Sequence, residues 1–150
     1  MRIVIQRVTG AELRISGELI SAIGPGMMVL VGVETGDTDA DMEWIAEKLV
    51  GLRIFNDDGG VMNRSVIEVD GEIMAVSQFT LTASTRKGKR PSYIRAEAPA
   101  LASPMYDRFC LRLEQLIGRK VARGVFGADM QISLTNDGPV TIIIDSRLRE

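Results

Sequence analysis

The chain has 150 residues, 45% hydrophobic and 25% charged, with a formal net charge of −2, which is the make-up of one soluble globular domain, residues 1–150, with a substantial core. That balance excludes a protein that coats nucleic acid by neutralising phosphates along a basic surface, while leaving room for a local basic patch that docks RNA. The single cysteine, Cys110, excludes an intrachain disulfide and a cysteine-only metal site, and the absence of histidine excludes a Ser-His-Asp triad and a His-ligated zinc.

The first third reads as strands separated by glycine turns, over residues 2–8, 11–16, 18–23 and 27–33. Ala11, Leu13 and Ile15 alternate with Glu12, Arg14 and Ser16, so that strand has one buried face. Met27 to Val33 is apolar without interruption and is expected to be covered on both faces. From Thr38 the period changes: Met42, Ile45, Ala46, Leu49 and Val50 form one face of an amphipathic helix. Thr38 is its N-cap, and Asp39 and Asp41 in the first turn suit the positive end of the helix dipole. The acidic positions of this helix read as solvated carboxylates and do not have the spacing of a calcium loop.

A short strand is expected at 52–55, a turn at 56–60, and a buried strand at 72–79. Residues 80–95 form a polar connection carrying Arg86, Lys87, Lys89, Arg90 and Arg95. A second helix lies between Pro99 and Gly118, with Met105, Phe109, Leu113 and Leu116 or Ile117 along one side. Pro104 leaves two starts open: Ser103 caps a helix whose first residue is Pro104, or a helix from near Pro99 is bent there. Cys110 in this helix reads as a buried inert thiol. Strands at 121–125, 130–135 and 140–145 complete the chain, with Asn136 to Pro139 as the last tight connection. Eight or nine strands with two helices predict an α+β fold, with largely antiparallel sheets curled into a barrel-like sandwich and helices on one face. The segment Met1 to Val8 is too short and too charged for a signal peptide, and no apolar run approaches the about 20 residues that span a bilayer. Together with the lone cysteine, this predicts a cytoplasmic protein with no membrane partner.

Two segments carry candidate chemistry. Ser77, Gln78 and Thr80 gather hydroxyl and amide groups at the end of a buried strand, where free backbone amides can bind a developing oxyanion; an ordinary strand end is the plainer reading. In Asn136-Asp137-Gly138-Pro139, a Gly-Pro step can turn two carbonyl oxygens to the same side; locally it reads as a simple turn. The basic run Arg86, Lys87, Lys89 and Arg90 follows closely after Thr80, which suits an anionic substrate with phosphates. Phe126 and Met130 are core residues by default or the walls of a small apolar pocket.

Taken together, these segments closely resemble the bacterial and eukaryotic D-aminoacyl-tRNA deacylases, formerly called D-Tyr-tRNA deacylases. The resemblance runs through Ile5-Gln6-Arg7-Val8, Leu52-Arg53-Ile54-Phe55, Met62-Asn63, Ser77-Gln78-Phe79-Thr80-Leu81, Lys87 to Ser92, Phe126 to Met130 and Asn136 to Thr141. It implies a homodimer of three-layer β/β/α subunits that hydrolyses the ester of D-aminoacyl-tRNA and accepts glycyl-tRNA, with no cofactor, no metal and no DNA partner. It further implies that Gly138-Pro139 is cis and enters the other subunit's site, where its carbonyls engage the substrate's α-amino group and exclude an L side chain. Ser77, Gln78 and Thr80 would then form the catalytic wall, Phe79, Phe126 and Met130 would bind substrate, and Arg86, Lys87, Lys89 and Arg90 would contact tRNA. Thr80 is either a nucleophile or part of a scaffold in which the terminal ribose 2′-hydroxyl assists water; with no histidine to activate it, the second is favoured. Val61, where many relatives have lysine, and Pro104 depart from the family pattern. Three alternatives stand beside this reading: a related deacylase with a trans Gly-Pro step acting on L-alanyl-tRNA, a non-catalytic RNA-binding dimer, and a general small-ester hydrolase.

Overall fold

In a computed structural model that describes residues 1–149, a long first strand organises the sheet. Strand β1 (Arg2–Ile15) is followed by β2 (Glu18–Ile23), β3 (Gly26–Gly32), helix α1 (Asp39–Gly51), β4 (Phe55–Asn56), β5 (Met62–Arg64) and β6 (Glu72–Ser77). A 3-10 turn (Phe79–Thr82), helix α2 (Pro99–Ile117), β7 (Ala122–Arg123) and β8 (Gln131–Asp145) complete the order. The main sheet runs β2-β1-β3-β6-β7, with β8 on the other edge of β1, while β4 and β5 form a separate two-stranded sheet.

β1 pairs antiparallel with β8 along one edge, and with β3 and then β2 along the other. β3 with β6 and β6 with β7 run parallel, while the other strand pairings are antiparallel, so the sheets are largely antiparallel as the turn pattern predicts, with a parallel part at one side. The parallel step needs a crossover, and α1 between β3 and β6 supplies it. The Ser21 hydroxyl donates to the Arg123 carbonyl at 3.0 Å, which draws β2 toward β7 and nearly closes the sheet into a barrel.

Two cores follow from the alternation of strand residues. Met27, Val29 and Val31 point with Ile3, Ile5, Ile73 and Ala75 toward Ile45 and Leu49 of α1 and Phe109 and Leu113 of α2. Met28 packs with Val8, Ala11, Leu13, Ile23, Met74 and Val76 inside the curled sheet. β3 is thus covered on both faces, as its unbroken apolar run predicts. Helices, sheet and the far wall of the curled sheet make the β/β/α layering.

Several element boundaries differ from those the sequence predicts. Residues 2–8 and 11–16 are one strand, because β8 pairs across the expected turn at Gly10, opposite Thr135. The strand expected over 72–79 ends at Ser77, since the chain then tightens into the 3-10 turn. The segment expected at 52–55 pairs only from Phe55, and 121–125 only at Ala122 and Arg123. Helix α2 begins at Pro99, where a missing amide costs nothing, and runs through Pro104; Ser103 is not its cap. The carboxylates of α1 are solvated as expected, and two of them, Asp39 and Glu43, also meet Arg108 at 2.8 Å and Arg112 at 2.7 Å across the two helices.

Tyr106 of α2 donates its hydroxyl to the Ala75 carbonyl of β6 at 2.8 Å, and burial pushes its phenol pKa up. Burial also raises the Cys110 thiol to about 11, which keeps it protonated and inert. The Ala75 carbonyl also accepts from the Gly124 amide at 3.2 Å, so replacing Tyr106 with Phe removes one of its two donors and is expected to lower unfolding stability by about 0.5–1.5 kcal/mol in urea titration. At α1, the Asp41 carboxylate accepts from the Thr38 hydroxyl at 2.7 Å and its amide at 2.9 Å, closing a capping box. The Thr38 hydroxyl bond is the main reason the Asp41 pKa falls from 3.8 to about 2. A lowered folded-state pKa contributes stability above the unfolded value and loses it as pH drops through the folded one. The stability advantage of wild type over Asp41→Asn should therefore hold above pH 3.8 and fade toward pH 2 in acid titrations of unfolding.

Candidate active site

The end of β6 and the turn after it form one wall of a cavity of about 670 Å³, with Ser77, Gln78 and Phe79 among its lining residues. The start of α2 contributes Ala98, Pro99, Ala102 and Tyr106, and the segment before β8 contributes Phe126 and Met130. Val31, Val33, Val76 and Ile132 make the floor largely apolar, while Glu97 and Asp129 are its two carboxylate-bearing residues. Phe79, 57% exposed, meets Tyr93 edge to face at the wall, with ring centroids 5.2 Å apart.

The turn is held from several sides. The Gln78 amide donates to the Val31 carbonyl at 2.7 Å, extending the β3–β6 pairing by one step. Leu81 N–H to Gln78 C=O, at 3.2 Å, is the first i to i+3 bond, so the amides of Phe79 and Thr80 have no partner within the turn. The Gln78 side-chain amide donates to the Thr80 hydroxyl, and the buried Thr82 hydroxyl donates to the Phe79 carbonyl at 2.8 Å. The turn lies directly on Gly32, where a Cβ would stand 3.0 Å from that of Leu81 and 3.2 Å from the Gln78 carbonyl oxygen. A side chain at Gly32 would press on the turn, whose Leu81 and Gln78 would have to give way by a few tenths of an ångström. Thr80 is not among the cavity's lining residues; it sits beside them, tied to Gln78.

Gly138 and Pro139 lie apart from the cavity of their own chain, and both are exposed. Instead of a turn between two strands, they occupy a bulge within the continuous strand β8. Between Gln6 and Val8, β1 advances two residues while β8 passes from Thr141 to Asn136, so residues 137–140 are extruded. Gln6 closes the base of the bulge: its side-chain oxygen accepts from Asn136 Nδ2 at 2.7 Å and from the Thr141 hydroxyl at 2.6 Å. Arg7, 7% exposed, lies underneath, donating from Nη1 to the Ile54 carbonyl at 2.6 Å and from Nε to the Asp137 carbonyl at 3.2 Å. Gly138 has φ +123°, and a Cβ there would approach Val140 Cγ2 to 2.9 Å and Arg7 Nη2 to 3.0 Å. The Gly138–Pro139 bond is cis. Gln6 and Arg7 escaped the sequence reading as site residues. The available signal was Arg7 itself, a cation continuing the buried parity of Ile3 and Ile5.

Arg86, Lys87, Lys89 and Arg90 are exposed on a loop pinched at its neck by reciprocal backbone bonds between Ser84 and Ser92, at 2.8 and 2.9 Å. None of the four takes part in an ion pair among the described residues. Among those residues no three His, Cys, Asp or Glu side chains gather where they could hold a metal ion, and no helix is long and apolar enough to cross a membrane.

Residues 4–145 match the family model described as D-Tyr-tRNA(Tyr) deacylase. The D-aminoacyl-tRNA deacylase of Parabacteroides distasonis is 59% identical and that of Bacteroides thetaiotaomicron 52% identical, each over the whole of both chains. Among solved structures, one titled c-Myc DNA Unwinding Element Binding Protein superposes with a TM-score of 0.91 at 39% identity, covering 97% of this chain and 98% of that one. A probable eukaryotic D-amino acid tRNA deacylase shares the fold, with a TM-score of 0.83 at 19% identity over 95% of this chain and 97% of that one. Matched along its whole length by sequence and by fold, the chain belongs to the D-aminoacyl-tRNA deacylase family of hydrolases.

Proposed function

We propose that the protein acts as a homodimer that cleaves the ester of D-aminoacyl-tRNA and glycyl-tRNA and turns L-aminoacyl-tRNA away. The observation that carries this reading is the separation of the two segments within one chain. Ser77, Gln78 and Phe79 line a cavity, while Gly138 and Pro139 stand exposed on a bulge away from it. A second copy brings them together. Support comes from β8, whose partner among the described residues is β1 alone, which leaves the other edge of this 15-residue strand free among them, with Ile143 67% exposed. A long unpaired edge with exposed apolar side chains is stable in water when something covers it.

In this dimer, the Phe79 and Thr80 amides receive the ester carbonyl oxygen and stabilise the negative charge that grows there during attack. Gln78 orients the Thr80 hydroxyl. The Gly138 and Pro139 carbonyls of the other subunit accept from the substrate's α-amino group, and their backbone occupies the space an L side chain would need. Glycine, with only hydrogen there, passes the same filter. Phe126 and Met130 supply apolar wall, and Arg86, Lys87, Lys89 and Arg90 meet tRNA phosphates outside the cavity. The chain has no histidine, and its thiol is buried and protonated, so the site has neither imidazole nor thiolate, and the carboxylates that line it are those of Glu97 and Asp129. The 2′-hydroxyl of the terminal ribose, adjacent to the ester, is the group placed to assist water.

Matched D- and L-aminoacyl-tRNAs test the filter. The wild type is expected to hydrolyse the D substrate and spare the L substrate, whereas Gly138→Ala, strained at φ +123°, should lose about 10- to 100-fold on the D substrate. Equal wild-type rates on both enantiomers would overturn the filter. Preference for L-alanyl-tRNA would assign the protein to the related deacylase activity, and tRNA binding without turnover would make it a non-catalytic RNA-binding dimer. Single-turnover hydrolysis of a substrate ending in 2′-deoxyadenosine should be slower by about 100-fold or more if the ribose assists. An unchanged rate would return the role of nucleophile or base to the protein.

A further inference from the structure

The carbonyl end of the Thr80 turn is held by guanidinium groups from distant parts of the chain. Arg2 donates from Nη1 to the Leu81 carbonyl at 3.0 Å and is itself fixed by Asp145 at 2.7 Å. Arg95 donates to the next carbonyl, that of Thr82, from both Nε at 3.3 Å and Nη2 at 3.1 Å. These carbonyls end a four-residue turn and have no further turn to accept for. Behind Arg95 stands Glu34, whose side chain is 7% exposed. Its Oε2 meets Arg147 at 3.4 Å; its Oε1 is buried, has no hydrogen-bond partner among the described residues, and faces Arg95 Nη2 at 3.6 Å. A buried carboxylate oxygen of this kind is costly unless a cation stays beside it, so Glu34 fixes where the Arg95 guanidinium rests.

We propose that Arg95, held by Glu34, is a positioning residue for deacylation, setting the height and angle at which the turn presents the Phe79 and Thr80 amides. This rests on the deacylase reading above. The geometry explains why a guanidinium is needed: two donors of one planar group converge on a single carbonyl while Nη2 also faces the acid, which an ammonium on a flexible stem does not reproduce. Arg95 also lies three residues beyond Ser92, at the neck of the loop that carries the four unpaired cations. The same short stretch therefore ties the phosphate-facing loop to the site. The Thr35 N–H to Arg95 C=O bond, at 2.9 Å, anchors that stretch to the turn between β3 and α1.

The rival role for a half-exposed arginine is a plain contact to RNA phosphate, and the two roles separate in kinetics. Arg95→Lys keeps the charge, and Glu34→Gln removes a negative charge beside it. If Arg95 positions the turn, both variants lower kcat on D-aminoacyl-tRNA by about tenfold or more with KM within about twofold of wild type. Amide hydrogen exchange at Leu81 and Ala83, whose bonds close the turn, should accelerate by about tenfold in both while the rest of β3 and β6 keeps its protection. A phosphate contact alone predicts the opposite: Arg95→Lys behaves as wild type, Glu34→Gln lowers KM, and exchange at the turn does not change. That pattern would overturn the inference, as would unchanged exchange in Arg95→Lys by itself. Should the wild type fail to hydrolyse any D-aminoacyl-tRNA, the deacylase reading falls, and the exchange measurement still decides whether Arg95 holds the turn.

Discussion

Two consecutive register irregularities in β1, between Gln6 and Val8 and between Val8 and Gly10, govern the interior and the exposed motif. Ile3 and Ile5 point toward the helices, and Val8 points from the opposite face into the curled sheet, where Ala11 and Leu13 join it because the second irregularity shifts the parity. Odd-numbered residues of one strand thereby serve both cores, which a regular strand with period two cannot do on a single parity. On the partner strand the first irregularity expels residues 137–140, which carry the Gly138–Pro139 step. Arg7 lies at that first irregularity, under the bulge. Its guanidinium is buried and donates to the Ile54 and Asp137 carbonyls, which offsets the cost of taking the charge out of water.

The second organising feature is the passage from strand to turn after Ser77. β6 is central, paired with β3 and β7, and therefore rigid. A 3-10 turn placed on the end of such a strand leaves its first amides without a partner in the turn, while Arg2 and Arg95 tie down its carbonyl end and the Thr82 hydroxyl holds the Phe79 carbonyl. Preorganised amides suit a protein that has no imidazole, because they stabilise charge without needing to exchange a proton. The distribution of ionised groups is consistent with this: the unpaired cations stand outside on the loop at 86–90, and the cavity floor is apolar.

Much of the molecule was legible in the sequence where interactions are short in range. Helix α1 was legible in its start and its buried face, with Thr38 as cap and Met42, Ile45, Ala46, Leu49 and Val50 buried, because period and N-cap are decided within a few residues. The double burial of β3 and the inert buried Cys110 could be read in the same way. Proline was harder: the missing amide of Pro99 suits the first position of a helix, but nothing local says that the helix continues through Pro104, a choice made by the packing of Met105, Tyr106 and Phe109.

By itself the sequence determined the family, the two helices, most strands and the identities of the residues at Ser77–Thr80 and Gly138–Pro139. Only the tertiary structure decided that 131–145 is one strand with an extruded bulge, that 79–82 is a turn and not strand, and that the two segments lie apart within a chain. The reason is distance along the chain. Arg7 and Asp137 are 130 residues apart and Arg2 and Leu81 are 79 apart, so the contacts that shape the site come from pairing and burial between remote segments, which local periodicity does not encode.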